Sequence, residues 1–150
     1  MLPSLSDCLL YQQIGEESSD AFIYSDREGD IRLWNAGAEA MFGYLAAEAM
    51  GQSLDIIIPE NLRARHWEGY RKVMETGVTR YAVELLATPA IRKDGSRIST
   101  EFSMSLVRDA AGRLMGVGAI IRDVTVRWQK EKGLRERLAI LERMNENHTL

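Results

Sequence analysis

Two hydrophobic periods alternate along the chain, and the points where one replaces the other divide it into elements. Leu9, Leu10 and Ile14, with Tyr11 nearby, give one side of a short, weakly amphipathic N-terminal helix. Ala21 to Ser25 is a short apolar run. The turn residues Asp26-Arg27-Glu28-Gly29-Asp30 follow it, and then a period-two stretch in which Ile31 and Leu33 flank Arg32. That order predicts a β-hairpin, with Gly29 free to take a positive φ. Asn35 is placed to cap the helix "AGAEAMFGY", which Gly43 ends, and a second short helix, "LAAEAMGQS", closes at Gly51. "LDIIIPE" is an apolar turn broken by Pro59. "ENLRARHWEGYRKVMETG" is the longest internal helix, terminated by Gly77.

From Arg80 onward the pattern predicts strands, divided by the turns Lys93-Asp94-Gly95-Ser96 and Asp109-Ala110-Ala111-Gly112. The middle strand alternates cleanly: Ile98, Thr100, Phe102 and Met104 share one face, and Ser99, Glu101 and Ser103 the other. The last strand, "LMGVGAIIRD", is mostly apolar. Two strands, several short helices and three strands describe an α+β domain: a five-stranded antiparallel sheet with short helices on one face. A charged C-terminal helix follows, in which Leu134, Leu138 and Leu141 step by four and three as coiled-coil core positions do, with Gly133 weakening the run. The expected organisation is a helical cap or dimerisation segment at 1–19, an α+β domain at 20–125 and a coiled-coil-like helix at 126–150.

Composition narrows the function. At 150 residues, 45% hydrophobic, the chain suits one packed domain. A net charge of −3 gives no general attraction to nucleic acid or an anionic membrane. No apolar run approaches the ~20 residues a membrane span needs, and the N-terminus has no basic segment followed by a long apolar core, so a cytoplasmic location is expected. The one cysteine, Cys8, cannot form an internal disulfide. One cysteine with one well-placed histidine cannot build a four-ligand zinc site. No phosphate-binding or dinucleotide fingerprint occurs, since "GVGAI" lacks the helix and the spacing. Acidic pairs such as Glu16-Glu17 have no partnered base or nucleophile, so no catalysis is expected.

"DAFIYSDREGDIRLWNAGAEAMFGY", "MGQSL", "IIIPE", "RKDGSRI" and the terminal "IIRDVT", in that order, resemble a PAS domain over roughly Asp20 to Thr125. The resemblance implies a sensory and dimerising module. Such modules usually sit upstream of a kinase, cyclase, transcriptional or chemotaxis output, and "RDVT" looks like their exit into a signalling helix. No output domain fits within these residues. "IPENLRARHWEGYRK" further resembles the corresponding helix of the heme-binding PAS domains of FixL and DOS type, in which a histidine at the place of His66 is the proximal ligand of the heme iron. His66 also precedes the Lys93-Asp94-Gly95 turn at the separation seen there.

On that resemblance the cofactor is heme b (iron protoporphyrin IX), the signal a diatomic gas (O2, CO or NO) or a redox change, and the metal ligand His66. Neutral imidazole is a good axial ligand, and axial ligation is a main control on heme iron. Tyr81, Phe102 and Met104 match distal-pocket positions, and Lys72 and Arg80 match positions of propionate partners. Two positions depart from the pattern. Leu86 stands where those domains carry an arginine, and Glu84 where the DOS type has its distal methionine. Bound gas would then be held otherwise, for instance by the Tyr81 hydroxyl; Met104, a soft donor, is an alternative sixth ligand. Trp67 is expected to pack on the outside or at a dimer contact. A light-sensing flavin domain needs a reactive cysteine in a mid-domain helix, and Cys8 lies outside the domain. Two alternatives stay open: a cofactor-free dimerisation or interaction module, and a domain binding a small metabolite. Leu9, Leu10, Ile14 and the C-terminal leucines favour a homodimer under each.

Overall fold

The computed structural model describes residues 2–149. Helix α1 (Leu5–Glu17) opens on a reciprocal cap: Ser4 accepts from the Asp7 amide while the Asp7 carboxylate accepts from the Ser4 amide. Strands β1 (Ala21–Asp26) and β2 (Ile31–Trp34) form the expected hairpin, with Gly29 at φ +85°. Asn35 caps α2 (Ala36–Phe42), Gly43 ends it in the left-handed region, and α3 (Ala46–Ala49) is a single turn. Two 3-10 turns, Leu54–Ile57 and Glu60–Leu62, lead into α4 (Arg63–Thr76), which Gly77 closes at φ +67°.

Strands β3 (Leu86–Ile91), β4 (Arg97–Arg108) and β5 (Leu114–Asp123) complete one antiparallel sheet in the order β2-β1-β5-β4-β3. The fold is the α+β sheet-and-helices architecture read from the sequence. β3 is an edge strand, which is where Pro89, lacking an amide hydrogen, can sit without breaking the ladder. One expectation fails. Residues 80–85 do not begin the strand: Arg80–Ala82 form a 3-10 turn, started by the Thr79 hydroxyl accepting the Tyr81 amide. Val83 and Leu85 that follow are exposed, so the apolar letters that suggested a strand have no layer to pack against.

The core lies on the inner sheet face. Ala21, Ile23 and Ser25 of β1, Trp34 of β2, Val117 and Ile121 of β5, and Ile98 and Thr100 of β4 are buried there beneath Ala38, Phe42, Leu54, Ile57 and Tyr70. The terminal helices stay outside it. No residue of α1 or of α5 (Thr125–His148) is buried, and Leu9, Leu10, Ile14, Leu134, Leu138 and Leu141 are all more than half exposed. Among the described residues no helix is long and apolar enough to cross a membrane.

Candidate functional site

Helix α4 turns one face to the sheet. His66, Tyr70 and Val73 recur at helical spacing on it; Tyr70 is buried and His66 half-buried. Two side chains fasten this face to the β1–β2 hairpin. The Tyr70 hydroxyl donates to the Asp26 carbonyl at 2.5 Å and shares a hydrogen bond with the Ser25 hydroxyl at 2.9 Å. The Trp67 indole donates to the Asp55 carboxylate at 2.8 Å, and its ring covers Gly29 so closely that a Cβ there would lie 2.2 Å from it. Trp67 therefore packs inward against the hairpin turn, contrary to the expectation of an outer or dimer contact. Gly29 is required twice over, by its positive φ and by this ring.

His66 lies between these two anchors, its ring 4.6 Å from that of Trp67 and 5.8 Å from that of Tyr70. Its Nδ1 is buried and, among the described residues, has no hydrogen-bond partner. Buried polar atoms are nearly always satisfied, so an unpartnered imidazole nitrogen on an inward helix face marks a place where a partner is wanting. Burial lowers the His66 pKa from 6.5, opposed by the nearby Asp55 charge, so the ring is neutral at pH 7 with its lone pair free. Burial likewise pushes the Tyr70 hydroxyl up to about 12, against the Ser25 hydrogen bond, which pulls it down.

The lowered His66 value has a consequence for stability. Below 6.5 the unfolded chain takes up a proton that the folded ring resists, so the heme-free protein loses stability as pH falls through that value, and the loss levels off below the folded-state pKa. Urea titrations at pH 7.5 and 5.5 should show this loss in the parent and a smaller one in His66→Asn. Equal losses would place the titration elsewhere.

Across from α4, Phe102 and Met104 sit half-buried on the inner face of β4, paired with Ile121 and Ala119 of β5, and Leu86 of β3 pairs with Phe102. Phe102 and Met104 pack against the same core that Tyr70 enters, and half-buried Leu86 stands beside Phe102 at the sheet edge. The remaining expected residues are not gathered with them. Lys72 is exposed: six residues on from His66, it faces roughly 120° away around the helix. Arg80 is exposed and donates to the hydroxyl of half-buried Tyr81 at 2.7 Å. That leaves the Tyr81 hydroxyl hydrogen uncommitted. The contributions of Ser25, Asp55 and Tyr70 were not read from the sequence; the only signal was that Tyr70 falls one turn beyond His66. Among the described residues no cluster of three or more His, Cys, Asp or Glu could hold a metal by itself.

The PAS fold family matches residues 16–129, and the chain belongs to that family. It is a sensor or signalling domain of that type. It is 26% identical to the oxygen sensor protein DosP of Escherichia coli over 93% of this chain, and 29% identical to the sensor protein FixL of Bradyrhizobium diazoefficiens over 78% of it. It spans only 17% and 23% of those two proteins. Among solved structures, an RNA-binding light-oxygen-voltage receptor superposes with a TM-score of 0.73 at 22% identity, over 93% of this chain and 39% of that one. That likeness concerns the fold alone.

Proposed function

We propose that the domain is a heme-based sensor of a diatomic gas or of redox state, in which His66 would hold the iron. The observation that carries this is the inward, neutral imidazole whose buried nitrogen has no partner. Heme, when bound, supplies an iron that takes up gas or changes oxidation state. The chain's own part is to hold and shield it. Tyr70 and Trp67 fix the rotation of α4 and so aim His66. Leu86, Phe102 and Met104 offer an apolar wall that excludes water; Tyr81, whose hydroxyl is held by Arg80 outside this group, would donate to a bound gas only after leaving that contact. Lys72 and Arg80 serve as propionate partners only if they leave their present positions, and the reading does not need them.

The same strand offers a way out for the signal. Ser99 of β4 accepts the Val124 amide at 2.8 Å and donates its own amide to the Thr125 hydroxyl at 3.0 Å, and Glu101 pairs with Arg127. Movement of Phe102 or Met104 thus acts on a strand joined directly to the first turn of α5. The exposed leucines of α1 and α5 support a homodimer through the terminal helices, with an output domain beyond them. Sedimentation showing only monomer at tens of micromolar would remove that part.

The test is the absorption spectrum after heme addition. A sharp, stoichiometric Soret band that responds to reduction and to CO is expected, lost or displaced in His66→Ala. An unchanged spectrum in the variant overturns the ligand assignment. The absence of a saturable band leaves a cofactor-free interaction module or a metabolite-binding domain.

A further inference from the structure

At the far end of α4 from His66, a groove of about 670 Å³ opens between the end of that helix, the β1–β2 turn and the β4–β5 hairpin. Met74, Leu114 and Met115 give it apolar walls. Its charged groups are Arg27, Arg108 and Arg113 against Glu75 and Asp109. Arg113 and Asp109 neutralise each other at 2.8 Å. Arg27 and Arg108 are different. Arg27 donates to the Leu114 carbonyl at 2.8 Å, and Arg108 to the carbonyls of Gly77 at 2.9 Å and Gly112 at 3.2 Å. Among the described residues neither has a carboxylate within ion-pair distance.

Main-chain carbonyls hold these two guanidinium groups in place without cancelling their charge. A planar five-donor fork held this way keeps further N–H groups for a second acceptor, and carboxylate is the acceptor that matches it in shape. The Arg108 head lies over Gly77, where a Cβ would come within 3.0 Å of it, and Gly77 already has φ +67°. The glycine that stops α4 therefore also seats the arginine. Arg27, Arg108 and the apolar walls match an anion with an organic body; Glu75 and the carbonyl end of α4 oppose it.

We propose that Arg27 and Arg108 form a carboxylate-binding site at the end of α4. The carboxylate has two possible sources. One is a free organic acid. The other is the propionates of a heme that His66 would hold, His66 and Met74 standing two turns, about 12 Å, apart along α4; this second source rests on the function proposed above. Under it, Arg27 and Arg108 replace Lys72 and Arg80 as propionate partners.

Two arms separate the sources. In the first, heme-free protein is titrated calorimetrically with citrate at low ionic strength. Saturable binding is expected, about tenfold or more weaker in Arg27→Gln and tighter in Glu75→Gln, since charge-assisted hydrogen bonds are worth about that much. In the second, heme is compared with its dimethyl ester. The parent should lose the ester about tenfold faster than heme, and Arg27→Gln/Arg108→Gln should lose both at one rate. Thermal melts check that the variants fold, and Arg27→Gln alone serves if loss of Arg108 loosens the hairpin. Either arm alone supports the site and names its source. If citrate does not bind and the ester is retained like heme, or if neither response depends on the arginines, the site is overturned. Citrate binding without any Soret band would retain the site and remove the heme sensor. A His66-dependent Soret band, with both arms negative, would do the reverse.

Discussion

Replacing Asn35 with alanine is expected to lower the stability of the domain by about 3–5 kcal/mol, because the side chain serves five main-chain groups at once. Its Oδ1 accepts from the amides of Phe22 at 2.8 Å and Ala38 at 2.9 Å. Its Nδ2 donates to the carbonyls of Gly15 at 2.7 Å, Asp20 at 3.0 Å and Ser18 at 3.4 Å. At 5% exposure, Asn35 leaves little room for water to replace these bonds. An ordinary helix cap lost to alanine costs about 1 kcal/mol. Here the same substitution also strands the first amide pairing of β1 and releases the end of α1, so the larger figure follows. The denaturant midpoint should fall with the slope unchanged, and the last turn of α1 should lose amide protection first. Asn35→Asp separates the two halves of the side chain. It keeps both accepted bonds but turns a carboxylate toward three carbonyls, so it too should destabilise. A loss below about 1 kcal/mol for alanine would mean that Asn35 is a cap and nothing more.

Asn35 also shows how far the sequence could be read. Its capping role was visible, because an asparagine before an apolar helical run has a local mechanism. Its other bonds were not, since Gly15 lies 20 residues away and nothing in a periodic pattern names a distant carbonyl. The same division holds at the site. The inward face of β4 was plain from alternation, and Phe102 and Met104 are on it. The Ser25–Tyr70 bond joins residues 45 apart, and alternation gives only the inward direction of Ser25. Lys72 is the opposite case. Counting 100° per residue from His66 already turns it away from the sheet, which the motif match did not take into account. Arg27 and Arg108 had no sequence signal, because the carbonyls of Leu114 and Gly77 that hold them lie 87 and 31 residues away along the chain. Residues 80–85 misled for a simpler reason: apolar letters suggest a strand only where a layer waits to cover them.

Gly116 and Gly118 lie two positions apart on β5, yet alanine should have opposite effects at them. A Cβ on Gly116 would stand 2.0 Å from the Ser25 carbonyl, 2.9 Å from the Tyr24 ring and 3.0 Å from the Asp26 Cα. Two of these are backbone atoms, which cannot swing aside, so β1 must separate from β5 at the Asp26–Gly116 pair. A Cβ on Gly118 would meet nothing nearer than 3.8 Å. Alanine spends less chain entropy than glycine in a strand, by about 0.5–1 kcal/mol, so Gly118→Ala should be neutral or mildly stabilising. Gly116→Ala should cost about 2–4 kcal/mol, within the range for forced overpacking and backbone shift. The effect should also reach the site, because Ser25 and Asp26 are the two residues that hold the Tyr70 hydroxyl. With β1 displaced, that hydroxyl loses its enclosure, and its ionisation, pushed up to about 12 in the parent, should move back toward 10. Ultraviolet titration of the phenolate reads this directly, provided the variant is still folded at the alkaline end. Tyr70→Phe identifies the band and should remove it. Equal urea midpoints for the two glycine variants would refute the clash. A Gly116→Ala protein that is destabilised while Tyr70 still titrates as in the parent would show that α4 is held to the sheet by Trp67 and the core rather than by its tyrosine.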